Sequence, residues 1–305
     1  MPPAPLTVES FQSFDGTEIA YYQTGRHQGR TLVLCNGLGG NGIVWRELIE
    51  HFAPDYRIVC WDYRGLYGSG SPAGERGYAI PNHALDLACL LQHLKLNDPI
   101  LVGWSMGVQV SLELHRTHPE LAGTLIAIHG TQGKPLSTAF DSQVTEWIAP
   151  AVFTAMRGIG RGLGNIGPPF ARSPLVINGL VWACQQTGIM APDLDNRTFG
   201  KLAEEWLQLD FDAYARVFDE LGKHSAWDLL PEISTPTLVI AGQADRFTPE
   251  HLSIRMAREM PNAQLEVIRD ATHFGLIEYP REIIDQIQAY LPKSGAAVAE
   301  LPTGP

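Results

Sequence analysis

The chain holds 305 residues, 45% hydrophobic and 18% charged, a balance that supports a sizeable core and excludes a disordered chain, a collagen or a coiled coil. Asp and Glu number 33 against 22 Lys and Arg, and the formal charge of -11 repels a phosphate backbone, so nucleic acid is not an expected partner. Cys35, Cys60, Cys89 and Cys184 lack metal-ligand or close disulfide spacing and read as reduced core thiols.

The start, Met1-Pro2-Pro3-Ala4-Pro5, has neither the basic nor the apolar region of a secretory signal, and no segment offers about 18 uninterrupted apolar residues. A cytoplasmic protein without stable membrane insertion is the expectation. Apolar and β-branched runs bounded by turn residues predict strands over Glu18 to Gln23, Thr31 to Cys35, Arg57 to Asp62, Ile100 to Trp104, Thr124 to His129, Thr237 to Ala241 and Leu265 to Arg269. Helical periodicity falls between most of them, over Val44 to Phe52, His83 to Leu94, Met106 to Thr117, Pro249 to Glu259 and Pro280 to Tyr290. Strands alternating with helices of this length imply an α/β fold, with a mostly parallel central sheet covered by helices on both faces.

From 131 to 228 the alternation stops. Helical pieces around Phe140 to Ala149, Leu175 to Gln186 and Arg197 to Leu209, with no convincing buried strand, predict a helical cap insertion. The core is thereby split into residues 1–130 and 229–291, and 292–305, rich in Ala, Gly and Pro, reads as a flexible tail. The glycines 158, 160, 162, 164 and 167 lie inside the insertion without a preceding strand, so they read as a loop and not as a phosphate cradle.

The strongest chemical signal is Gly103-Trp104-Ser105-Met106-Gly107, between the apolar run Ile100-Leu101-Val102 and a helix-period segment. A serine in a sharp strand-to-helix turn is crowded by the residues two before and two after it, so both must lack side chains. The helix opening at Met106 also directs free backbone N–H groups at an oxyanion near Ser105. A serine hydroxyl is a poor nucleophile at neutral pH, so a base and a group that orients it are required. In the chain order of this turn, serine, acid, histidine, the candidates are Asp245, past the strand Thr237 to Ala241, and His273, past the strand Leu265 to Arg269. His251 falls in the first turn of a predicted surface helix, and Asp270 reads more naturally as a turn residue. A second oxyanion donor belongs to the loop after Thr31 to Cys35, which reads Asn36-Gly37-Leu38-Gly39-Gly40. The backbone N–H groups of Leu38 and Met106 are the assigned donors.

With these residues in view, the chain resembles the α/β-hydrolase fold superfamily, in its capped serine esterase and lipase-like branch, over roughly Phe14 to Leu291. The resemblance rests on Asn36-Gly37-Leu38-Gly39-Gly40, Asp62-Tyr63-Arg64-Gly65, Gly103-Trp104-Ser105-Met106-Gly107, Gly242-Gln243-Ala244-Asp245 and His273 before Phe274-Gly275. It implies a triad of Ser105, Asp245 and His273 and a cap over the sheet. Asn36 and Trp104 stand where the family often has His, and the run Arg64 to Ser71 is one residue longer than the usual turn.

The expected function is hydrolysis of carboxylic esters of small to medium hydrophobic substrates through an acyl-enzyme, with no cofactor and no metal. The same apparatus also serves C–C bond hydrolases, perhydrolases and acyltransferases, and a non-turnover small-molecule receptor is the alternative of a different class. Trp104, beside the serine, His129, at a strand end, and Trp147, Phe153 and Trp182, in the insertion, are the expected pocket-lining residues. Met156, Met190 and Trp206 add further large apolar side chains to the insertion.

Overall fold

Eight strands form one sheet in the order β1-β2-β4-β3-β5-β6-β7-β8. The strands are β1 Thr7–Gln12, β2 Glu18–Gly25, β3 Thr31–Cys35, β4 Arg57–Trp61, β5 Ile100–Trp104, β6 Thr124–Ile128, β7 Thr237–Gly242 and β8 Ala263–Ile268. Only β1 with β2 and β2 with β4 pair antiparallel; every other neighbouring pair is parallel. The computed structural model describes residues 7–27, 29–141, 173–192, 194 and 196–291, with the isolated positions 151, 154 and 158. The expectations for Trp147, Phe153, Met156, the glycines from 160 to 167 and the tail 292–305 lie outside the described residues.

Among the described residues the helices in chain order are α1 Arg46–Phe52, α2 Ile80–His93, α3 Met106–Thr117, α4 Pro135–Thr138, α5 Pro174–Gln186, α6 Asn196–Trp206, α7 Phe211–Lys223, α8 Glu250–Glu259, α9 Gly275–Glu278 and α10 Pro280–Tyr290. None of them is long and apolar enough to cross a membrane.

Every residue of β3, β5, β6 and β7 is buried, which is why these segments are apolar without alternation. The period of two still sorts their side chains into two cores. Val33, Val59, Leu101, Leu125 and Val239 join α2 and α3 on one face, whereas Leu32, Ile58, Val102, Ile126 and Ile240 join α1 and α10 on the other.

The central strands and α3 and α10 occupy the predicted segments, with other ends moved by a few residues. β1 was not predicted. Its pattern is exposed except at Phe11, so an edge strand with one buried apolar residue carries almost no hydrophobic signal. α7 was also not predicted, although Asp210 caps it by accepting from the N–H groups of Asp212 and Ala213.

Between β6 and β7 the chain leaves the sheet and returns beside its own departure point. Lys134 N–H donates to His224 O at 2.8 Å, Ala226 N–H donates to Gln132 O at 2.8 Å, and Gly133 bridges Ser225. Helices α4 to α7 lie between these paired ends. His224 also reaches α3, with Nε2 2.9 Å from Glu113 Oε2, so the returning segment is tied to the helix that follows Ser105.

Candidate active site

The carboxyl ends of the parallel strands bring the candidate residues to one edge, where open α/β sheets bind ligands. Ser105 follows β5 with φ of 54° and ψ of -115°, a conformation that non-glycine residues rarely adopt. The turn is tight on both sides. A Cβ on Gly103 would stand 2.6 Å from Gly107 O, and one on Gly107 would overlap the Cys35 carbonyl. Both positions must therefore be glycine, as the sequence pattern requires.

Ser105 Oγ donates to His273 Nε2 at 2.9 Å, and His273 Nδ1–H donates to Asp245 Oδ2 at 3.0 Å. Asp245 is buried and accepts three further hydrogen bonds. Phe247 N–H and Thr248 N–H each donate to Oδ1 at 2.8 Å, and Thr248 Oγ1 donates to Oδ2 at 2.7 Å. Burial alone would push this carboxyl up. The charge and hydrogen bond of His273, followed by the Thr248 N–H bond, outweigh burial and hold it below the usual carboxylate range. Asp270 is exposed in the neighbouring turn with φ of 60°, which agrees with its reading as a turn residue. His251 is exposed in the first turn of α8.

Trp104 lines an apolar cavity of about 180 Å³ together with Leu38, Phe199, Trp206, Tyr214 and Phe274. No charged side chain lines it among the described residues. The same indole donates from Nε1 to His273 O at 3.1 Å, so it also braces the loop that carries the histidine. Leu38 lines this cavity, and Met106, next to Ser105, is the first residue of α3, where a backbone N–H has no acceptor four residues back in the helix.

Two pocket expectations are corrected. His129 is 1% exposed and lies behind Asp245, not in the cavity wall. Because its neighbour Thr272 O can only accept, His129 Nδ1 carries the proton and donates to it at 2.7 Å. Burial, reinforced by His273 and opposed by Asp245, pushes its pKa down to about 4, so it is neutral, and its bond to Thr272 O ties it to the loop that carries His273. Trp182 is 62% exposed and absent from the cavity wall, since α5 turns Val181 inward instead.

Asn36, where a histidine is common, is fully used in support. Its Nδ2 donates to Trp61 O at 2.7 Å, and its Oδ1 accepts from Trp45 Nε1 at 2.7 Å. Thr248, Phe247, Tyr63 and Tyr67 were missed from sequence. Phe247 packs its ring 4.9 Å from that of His273, and the two tyrosines donate to backbone carbonyls of the 36–40 loop. Tyr63 lies inside Asp62-Tyr63-Arg64-Gly65 with Tyr67 just beyond it, and Phe247 and Thr248 follow Gly242-Gln243-Ala244-Asp245, but no local pattern marks what these side chains contact.

A family model described as the alpha/beta hydrolase fold matches residues 30–280 of the chain. A protein named as a carbamate hydrolase from Rhizobium rhizogenes is 27% identical over 273 residues, which span 87% of this chain and 94% of that protein. Pimeloyl-(acyl-carrier protein) methyl ester esterase from Aeromonas hydrophila is 28% identical, spanning 87% of this chain and 96% of its own. Among solved structures, an esterase from Exiguobacterium antarcticum superposes with a TM-score of 0.71 at 21% identity, covering 93% of this chain and 99% of that one.

Proposed function

The chain belongs to the α/β-hydrolase fold family, and from that premise we propose that it is a serine hydrolase cleaving carboxylic esters of small to medium hydrophobic substrates through an acyl-enzyme. The observation that carries this reading is the unbroken line of hydrogen bonds from Ser105 Oγ through His273 to Asp245 beside an uncharged cavity. The names of the two curated relatives, a carbamate hydrolase and a methyl ester esterase, support attack on an acyl carbonyl.

In this mechanism Oγ attacks the acyl carbonyl carbon as its proton passes to His273 Nε2. Asp245 keeps the proton of the resting imidazole on Nδ1 and stabilises the imidazolium that forms. The N–H groups of Leu38 and Met106 take the developing oxyanion. The tetrahedral intermediate expels the alcohol, which takes the proton from His273, and water activated by the same nitrogen then releases the acid. The helices between β6 and β7 act as a cap, and Phe199 and Trp206 of α6 and Tyr214 of α7 supply the apolar wall that receives an uncharged group.

The test is hydrolysis of p-nitrophenyl butyrate by the wild type and by Ser105→Ala. The wild type should turn over repeatedly and the variant should fall to the background rate. Wild-type turnover by Ser105→Ala would overturn the reading.

A further inference from the structure

The glycine loop after β3 is held from three sides. Trp104 lies against Gly37 and Gly40, where an added Cβ would stand 2.6 and 2.7 Å from its ring, and Trp206 lies against Gly39, where a Cβ would stand 2.6 Å from the indole. On the third side, the turn after β4 reaches across. Tyr63 donates its hydroxyl to Asn36 O at 2.6 Å, and Tyr67 donates to Gly39 O at 2.5 Å.

Tyr67 has φ of 48°, in the left-handed region that bulky residues avoid. The turn is pinned in that shape. Asp62 Oδ2 accepts from Gly68 N–H at 3.0 Å, Asp62 O accepts from Ser69 Oγ at 2.7 Å, and Gly65 N–H donates to Gly70 O at 2.8 Å. Strain of this kind persists only where surroundings over-determine it, and it clusters at functional sites. Burial, then the Glu205 carboxylate, pushes the Tyr67 phenol up, so it stays a protonated donor.

A peptide group is planar and trans, so the C=O of one residue and the N–H of the next point in opposite directions. Gly39 O, which accepts from Tyr67, shares its peptide with Gly40 N–H, which donates to Gly37 O at 2.9 Å. Gly37 O in turn shares its peptide with Leu38 N–H. The hydrogen-bonded line therefore runs from the phenol through two peptide groups to one of the N–H groups assigned to the oxyanion.

We propose that Tyr67 is a positioning residue of the oxyanion hole, fixing the Gly39–Gly40 peptide and, through the bond from Gly40 to Gly37, aiming and polarising Leu38 N–H. This rests on the reading of Leu38 as an oxyanion donor. Successive hydrogen bonds polarise one another in a low-dielectric interior, and the effect is largest when full negative charge develops at the far end. Tyr67 therefore acts on the transition state more than on the bound ester, and on kcat more than on KM.

The test compares the wild type with Tyr67→Phe, which keeps the ring, for turnover of p-nitrophenyl butyrate and for binding of a trifluoromethyl ketone that forms a tetrahedral adduct with the serine. Removing an oxyanion donor outright costs about 10²–10³ in kcat, so loss of its support should cost roughly tenfold, with KM within about twofold. Affinity for the ketone should fall by the same factor as kcat. Installing 3,5-difluorotyrosine at position 67, a stronger donor of nearly the same shape, should raise ketone affinity, which a merely structural hydroxyl would not do. Unchanged kcat and ketone affinity in Tyr67→Phe, or a loss confined to KM, would overturn the relay. Ser105→Ala assayed in parallel separates the two ideas: an inactive Ser105→Ala beside an unaffected Tyr67→Phe defeats the relay alone, while an active Ser105→Ala defeats the hydrolase reading beneath it.

Discussion

Replacing Asp245 by Asn changes one atom, and the surrounding hydrogen bonds dictate which way the amide turns. Oδ1 accepts from two backbone N–H groups, those of Phe247 and Thr248, and an NH₂ group there would face two donors in a buried site. The amide oxygen must therefore take the Oδ1 position, which puts NH₂ at Oδ2, facing Thr248 Oγ1 and His273 Nδ1. The threonine hydroxyl can rotate to accept. His273 can accept only with Nδ1 unprotonated, so its proton moves to Nε2, the nitrogen that takes the proton of Ser105 in the proposed mechanism. All four contacts survive with two of them reversed, so the fold should be retained and the damage should appear in the chemistry. A wrong tautomer in a serine protease triad costs about 10⁴ in kcat, or roughly 5.5 kcal/mol at about 1.36 kcal/mol per tenfold. The assay is kcat and KM for p-nitrophenyl butyrate, with thermal unfolding as the control for folding. Asp270→Asn, at an exposed turn position whose positive φ asparagine tolerates, should stay within about twofold. More than a tenth of wild-type kcat in Asp245→Asn, or greater damage from Asp270→Asn, would refute the reasoning.

Gly107→Ala drives a Cβ into the Cys35 carbonyl and should cost about 3 kcal/mol or prevent folding, whereas Gly42→Ala, which meets open space, should cost no more than about 0.5 kcal/mol in urea unfolding. Trp206→Ala should shift the preferred p-nitrophenyl ester toward longer acyl chains, with up to about 0.8 kcal/mol, or roughly fourfold in kcat/KM, for each methylene that gains buried space. Trp182→Ala, at an exposed position, should leave the profile unchanged. Acid should destabilise the fold through its buried histidines, since His129 is pushed down to about 4 and His83 to about 3, in each case mainly by burial. Their folded pKa values lie below the unfolded one, so the unfolded chain binds the extra protons, and stability should fall by up to about 1.4 kcal/mol per pH unit for each as pH drops from about 6.5 toward those values. Urea unfolding at pH 7.5, 6 and 5 checks this, and a flat stability across that range would contradict it.

The core and the candidate site residues were legible because they are local patterns with strong physical demands. A fully buried parallel strand must be apolar throughout, and the turn around Ser105 leaves no room for a Cβ at Gly103 or Gly107. Asp245 and His273 could be located because each lies in the loop past the carboxyl end of a parallel strand, β7 buried throughout and β8 only partly buried. The pocket was less legible, since helical spacing identifies large apolar side chains but not the face turned inward. Trp182 and Trp206 look alike in sequence, yet only the second lines the cavity. His129 looked like a wall residue because it ends a strand at the correct edge. Its role depends on Thr272 O, a carbonyl 143 residues away. The tyrosines of the β4 turn were hidden for the same reason, because their partners are backbone atoms of another loop.

The central claim is that Ser105 is the nucleophile, and stoichiometric labelling with a fluorophosphonate tests it most directly. One label per chain should be found, carried on Ser105, with esterase activity lost in proportion to labelling and with ester substrate protecting against both. A label on another residue, or activity that survives complete labelling, would contradict it.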